Sequence, residues 1–135
     1  MKNFTISREP VSATQFNDLC ESVGWNSVAE KHFHQAIDHS IACVSAFVGT
    51  DVVGFGRLVG DIGMCLYIQD LIVIPEYQDK GIGSSMAREL HQIASGLNDR
   101  RPVIGLIADE KVVGFYEALG YSESNPNCRF LKTAV

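Results

Sequence analysis

Apolar residues along this chain fall into two rhythms, and the rhythm changes where glycine or proline interrupts it. Three stretches carry their apolar residues on one helix face. Phe16, Leu19, Cys20 and Val23 follow Ser12-Ala-Thr-Gln15, a capping-box sequence, and Gly24 closes that helix. Val28, Phe33, Ala36 and Ile37 go with a second such box, Ser27-Val-Ala-Glu30. Ile82, Met86, Leu90, Ile93 and Leu97 mark a longer helix over 83–97, with His91 one position past the stripe and so expected at the surface. Short runs rich in β-branched and aromatic residues read as strands at 4–9, 41–48, 52–58, 64–74, 103–108 and 130–132, with a short helix at 111–119 closed by Gly120. Gly49-Thr-Asp51 predicts a hairpin, and Gly54 and Gly56 inside the following strand predict a bend or a close backbone approach. The order is β-αα-βββ-α-β-α-β, an α/β (α+β) chain with a mixed central sheet of about six to seven strands. A helix joins strand 64–74 to strand 103–108, so those two are expected to be parallel.

The chain is organised around 71–90, reading LIVIPEYQDKGIGSSMAREL. A strand, a polar turn with two glycines and a helix start follow one another there. That arrangement exposes free backbone N–H groups at the positive end of a helix, a place suited to a phosphate or pyrophosphate. A P-loop is excluded, because Lys80 precedes Gly81 and no Lys-Ser/Thr pair follows the glycines. A dinucleotide fingerprint fails too, since Met86 stands where a third small residue is needed.

The totals narrow the field further. A chain of 135 residues makes one domain able to bury about two thirds of its unfolded surface. The net charge of −5 argues against a nucleic-acid partner, which would need a basic stripe. No apolar run approaches the roughly 20 residues of a membrane span, and MKNFTISREP lacks the apolar core of a signal peptide. Cytoplasmic location is therefore the expectation. Cys20, Cys43, Cys65 and Cys128 are scattered, and His32 and His34 fall on opposite sides of a helix. Both facts argue against a metal site and for reduced thiols.

Gln78-Asp79-Lys80-Gly81-Ile82-Gly83 resembles the Gln/Arg-x-x-Gly-x-Gly/Ala loop of the GNAT superfamily of acyl-CoA N-acyltransferases, and the strand ending in Val73-Ile-Pro75-Glu-Tyr77 is similar to its preamble. The element order matches that fold over essentially the whole chain. Phe115-Tyr-Glu-Ala-Leu-Gly-Tyr121 resembles the superfamily's Phe-Tyr-x-x-x-Gly-Phe/Tyr ending. Gly24-Trp25, Gly54-Phe-Gly-Arg57-Leu-Val-Gly-Asp61 and Asp70-Leu-Ile-Val73-Ile-Pro75-Glu-Tyr77-Gln78 resemble motifs of a short subgroup that includes arylalkylamine-type acetyltransferases.

The resemblance implies direct transfer of an acetyl group from acetyl-CoA to a primary amine of a small molecule or peptide. A non-catalytic acyl-CoA-binding module on the same fold is the alternative. It implies that amides of Gln78, Asp79, Lys80, Gly81, Ile82, Gly83 and Ser84 hold the pyrophosphate. The pantetheine arm would run beside Leu71, Ile72 and Val73, in a gap where strands 64–74 and 103–108 splay apart. Asp109 stands where many members carry asparagine beside the cofactor, and Tyr116 would return a proton to the thiolate. Read as a residue alone, Tyr116 is equally a core aromatic. Alternation places Asp70 on the face shared by Ile68 and Ile72, where it is either the general base or a strut to Arg57; Glu76 is the second candidate base. The acceptor would be set by Trp25 to Phe33, by Arg57 and Asp61, and by the loop 122–129. Trp25 is either a packing anchor or a cleft wall. Oligomeric state stays open, a homodimer being one outcome.

Overall fold

Residues 3–99, 102–108, 110–125 and 128–132 are described by the structure, a computed structural model. A six-stranded sheet carries the fold, its strands in chain order across it: β1 (Thr5–Ser7), β2 (Ala42–Val48), β3 (Asp51–Gly60), β4 (Cys65–Val73), β5 (Val103–Ala108) and β6 (Cys128–Lys132). The first four pair antiparallel, and β4 with β5 and β5 with β6 are parallel. Between them run α1 (Ala13–Ser22), α2 (Glu30–Asp38), α3 (Ile82–Ser95) and α4 (Val113–Ala118).

The sheet has a core on each face. On one, Met86, Leu90 and Ala94 of α3 and Tyr116 of α4 pack with Val44, Leu58, Leu66, Ile68 and Leu106. On the other, Phe16, Leu19 and Cys20 of α1 and Phe33 of α2 pack with Cys43, Phe55 and Ile72. Gly54 and Gly56 set how close α3 comes. A Cβ on Gly54 would meet the Met86 methyl at 2.8 Å and the Ile72 carbonyl at 3.0 Å, and one on Gly56 the Leu71 side chain at 2.8 Å. The expected close approach is that of a helix to a strand.

The first capping box forms as the sequence predicts: Ser12 Oγ accepts from the Gln15 amide and the Gln15 side chain accepts from the Ser12 amide. The second does not. α2 begins at Glu30 behind Ala29, which offers no side-chain cap. Asn17 of α1 takes hold of the incoming loop instead, bonding both the N–H and the C=O of Val28. That clamp holds the loop extended past Ser27. Val28 is left at the surface, while Phe33 is buried.

At the end of β3, Gly60 takes φ +143°, and a Cβ there would stand 2.3 Å from the Cys65 carbonyl oxygen. Gly60→Ala is therefore expected to cost about 2–3 kcal/mol of stability, against about 1 kcal/mol for Ser12→Ala, which loses only a cap. Urea denaturation of the two variants beside the parent checks both values.

Candidate active site

The site begins where β4 leaves its parallel neighbour. Pairing with β5 covers Cys65–Val103, Leu66–Ile104 and Tyr67–Gly105 and then stops, although both strands run on to Val73 and Ala108. The Val103 amide donates to the Met64 carbonyl, so by the two-residue period of a strand the Ile107 amide also faces β4. It meets no ladder partner; it faces the phenol oxygen of Tyr67, stabilising it. Tyr67, whose pKa is raised chiefly by burial, thus lies at the floor of a gap between two separating strands. Nothing in its spacing distinguishes Tyr67 from any strand aromatic, so the sequence carries no sign of this place.

A bulge in β4 accompanies the separation. Arg57 pairs with Gln69 and Phe55 with Ile72, so Asp70 and Leu71 together oppose Gly56. Asp70 takes φ +59°, a left-handed conformation that aspartate tolerates better than most residues. The kink corrects the alternation argument. Ile68 belongs to the core under α3 and Ile72 to the core under α1 and α2. Asp70 shares a face with Ile72 alone, where it lines a cavity with residues of α1 and α2. Its Oδ2 accepts from Arg57 Nε at 2.7 Å and its Oδ1 from Gln69 Nε2 at 3.2 Å. Arg57 Nη1 also reaches Ser40 Oγ. The strut to Arg57 is formed, and the carboxylate still borders open space.

Beyond β4, Pro75–Tyr77 makes one 3-10 turn, and the Gln78 side chain donates to the Val73 carbonyl at 2.9 Å, tying the loop to the strand end. The Gln78 amide is taken by the Pro75 carbonyl, so it is not available to an anion. Asp79 at φ +62° and Gly81 at φ +84° then turn the chain into α3. The first amide with a helical acceptor is that of Ser85, which donates to Gly81. Among the described residues, the amides of Asp79 through Ser84 find none, as the open first turn of a helix requires. Nothing lies within 4 Å of where a Cβ of Gly81 would be, while one on Gly83 would meet the Phe115 ring at 3.3 Å. The turn is therefore open on its outer side and packed against α4 on its inner one. These donors, with the helix dipole behind them, fit a pyrophosphate.

Tyr116 is buried in the α3-side core at 8% exposure, with ring centroids 5.0 Å from Phe115 and 5.8 Å from Tyr121. Burial, and then the neighbouring Tyr67, pushes its pKa up to about 12, so it holds its proton throughout the physiological range. His91 corrects another expectation. It is half-buried, its Nε2 lies 2.6 Å from the Tyr121 hydroxyl, and burial lowers its pKa. The turn at Gly120 (φ +97°) folds Tyr121 back over α3, and the Tyr121 amide donates to the Tyr116 carbonyl.

The cavity bordered by Asp70 has a volume of about 170 Å³ and is walled by Phe16, Phe33 and Phe55 with Val28, His32, Ala36, Ile37 and Arg57. Of the four sequence-derived acceptor residues, Phe33 and Arg57 are there. Asp61 is not: its carboxylate accepts from the Met64 and Cys65 amides in the β3–β4 turn, bonds that lower its pKa. Trp25, 47% exposed after α1, is not part of the cavity wall either. Asp109 lies outside the described residues.

The model of the family described as "Acetyltransferase (GNAT) family" matches residues 11–121, from the start of α1 through the opened strands and the glycine turn to Tyr121. The chain belongs to this family. It is 30% identical over 116 residues to the "uncharacterized N-acetyltransferase ycf52" of Porphyra purpurea, an alignment covering 82% of this chain and 65% of that protein. A solved GNAT-family acetyltransferase from Streptococcus pneumoniae TIGR4 is 34% identical, with a TM-score of 0.74 and coverage of 98% of this chain and 95% of that one. A probable acetyltransferase from Staphylococcus aureus, 19% identical, shares the fold with a TM-score of 0.83 over 91% of this chain and 92% of its own.

An unfolded tyrosine ionises near pH 10, and Tyr116 in the fold near 12. Its contribution to stability is therefore complete below pH 10 and is lost as pH rises through about 12, because the folded state holds the proton longer. Tyr121, also raised by burial, acts in the same direction. Urea denaturation at about pH 9 and about pH 11.5 is expected to show a smaller loss of stability in Tyr116→Phe than in the parent.

Proposed function

We propose that this GNAT-family chain moves the acetyl group of acetyl-CoA directly to a primary amine of a small molecule or peptide. The observation that carries the reading is the row of unpartnered amides from Asp79 to Ser84, next to the gap between β4 and β5. The amides would grip the diphosphate of acetyl-CoA. Leu71, Ile72 and Val73, on the stretch of β4 that β5 leaves unpaired, would line its pantetheine arm. By the family resemblance, Asp109 would also contact the cofactor.

The thioester supplies an activated acetyl carbon. The protein must take a proton from the ammonium and give one to the departing sulfur. Asp70 is the proposed base, directly or through a water, supported by a strained backbone at a cavity edge. The freed nitrogen lone pair forms the C–N bond as the C–S bond breaks. Tyr116 gives its phenolic proton to the sulfur and regains one from the nitrogen, while the Asp70 proton passes to solvent. Phe33 and Arg57 would border the acceptor. Trp25 and Asp61, outside the cavity, could touch only acceptors that extend beyond it. The Arg57–Asp70 ion pair is the observation favouring the second reading, a non-catalytic acyl-CoA-binding module in which Asp70 is only a strut. The free thiols of Cys20, Cys43 and Cys65 support a reducing compartment such as the cytoplasm.

Tyr116→Phe keeps the packing and removes the proton; turnover is expected to fall about 100-fold or more with acetyl-CoA affinity unchanged by calorimetry. Asp70→Asn keeps a side chain suited to the left-handed backbone and removes the charge. It is expected to lower turnover by a similar factor without lowering the melting temperature by more than a few degrees. Full turnover in Asp70→Asn would leave the strut as its only role, and a parent that fails to bind coenzyme A would end the proposal.

A further inference from the structure

Tyr67 has no part in the proton transfers assigned to Asp70 and Tyr116, yet it stands where the two strands separate. It is the last residue of β4 to pair with β5, opposite Gly105. A Cβ on Gly105 would lie 3.9 Å from Tyr67 Cδ2, so the ring leans across β5 over a residue that has no side chain of its own. Its oxygen accepts from the amide of Ile107, which lies two residues beyond Gly105, a rise of roughly 6–7 Å along the strand. In the parallel register Ile107 comes level with Gln69. The phenol therefore projects past its own backbone into the gap and ends one residue short of the bulge at Asp70. Ring contact holds it at one end and a hydrogen bond at the other. Its electrical neighbours agree with that place: after burial, Asp70 helps to raise the pKa of Tyr67, and Tyr67 that of Tyr116.

We propose that Tyr67 is the stop that sets acyl length, admitting the two carbons of an acetyl group and excluding a four-carbon chain. This deepens the acetyl-transfer reading and rests on it. The head of α3 lies past the end of β4. A coenzyme held there would lay its arm back along β4 from Val73 to Leu71, with the acyl carbons leading. Those carbons advance toward the point where β4 and β5 close, and the Tyr67 phenol stands in that path. An acetyl group ends before it. A longer chain must displace the ring, which gives way only by leaving Gly105 and breaking the bond from Ile107. A leucine at this position has neither the reach nor the oxygen, and leaves an apolar slot that extra methylenes can fill.

The test needs no knowledge of the acceptor. Coenzyme A, acetyl-CoA and butyryl-CoA are titrated by calorimetry into the parent, Tyr67→Phe and Tyr67→Leu. The parent is expected to bind butyryl-CoA at least about 10-fold more weakly than acetyl-CoA. In Tyr67→Leu that ratio is expected to fall below about 3-fold, through tighter butyryl-CoA binding and not through weaker acetyl-CoA binding. Tyr67→Phe keeps the ring over Gly105 and is expected to retain the preference for acetyl-CoA. A residue needed only for packing would shift all three affinities together, so the ratio isolates the stop. Tyr67→Met serves if the leucine variant does not fold. A parent that binds butyryl-CoA as well as acetyl-CoA overturns the proposal and leaves the acetyl-transfer reading standing. So does an unchanged ratio in the leucine or methionine variant, or a preference lost as fully with phenylalanine as with leucine. A parent that binds none of the three ends the acetyl-transfer reading, and the stop with it.

Discussion

A β-strand cannot satisfy its neighbour's backbone and leave that neighbour's edge free at the same time. The site follows from this constraint. β4 pairs with β5 for three residues and then departs from it, and the groups that would have closed the ladder border a gap. The bulge at Asp70, with its left-handed φ, lies on the departing stretch and increases local twist. Tyr67 takes one amide on β5 that β4 leaves without a ladder partner, and the head of α3 presents six that have no backbone acceptor among the described residues. Polar backbone left unpaired here is what a polar cofactor can use.

The same bulge places the side chains. Without it, Asp70 would follow Leu66 and Ile68 into the core under α3, where a carboxylate would be costly. With it, Leu71 and Val73 join that core and Asp70 turns to the opposite face. One backbone irregularity therefore puts the carboxylate at the rim of the aromatic cavity and leaves the gap on the edge of the same strand. Arg57, on the adjoining strand, holds that carboxylate at 2.7 Å and neutralises it as a pair, so the rim carries a dipole more than a net charge.

Tyrosines and a histidine connect α3, α4 and the last turn. Tyr116 packs edge-on to Phe115 and Tyr121, and Tyr121 binds His91 of α3. Phe115 in turn sits over Gly83, so the helix carrying Tyr116 is seated against the first turn of α3. The glycine turn and Tyr116 are thereby linked through direct packing, in a region where burial favours the uncharged forms of His91, Tyr116 and Tyr121.

The residue pattern by itself determined the order of elements, the parallel pair, the first cap and the glycine turn, because each rests on local periodicity or turn chemistry. The start of α1, the stripe from Ile82 to Leu90 and the burial of Phe16 and Phe33 follow from spacing. What depended on distant contacts was decided only in three dimensions. Asn17 displaced the second capping box from another helix, and Gly120 folded Tyr121 onto His91. The bulge reversed the face of Asp70, since a period-two argument has no way to count an extra residue. The cavity is built from residues whose individual signature is that of a core; that their rings leave room for a ligand is a property of how two helices sit on a sheet.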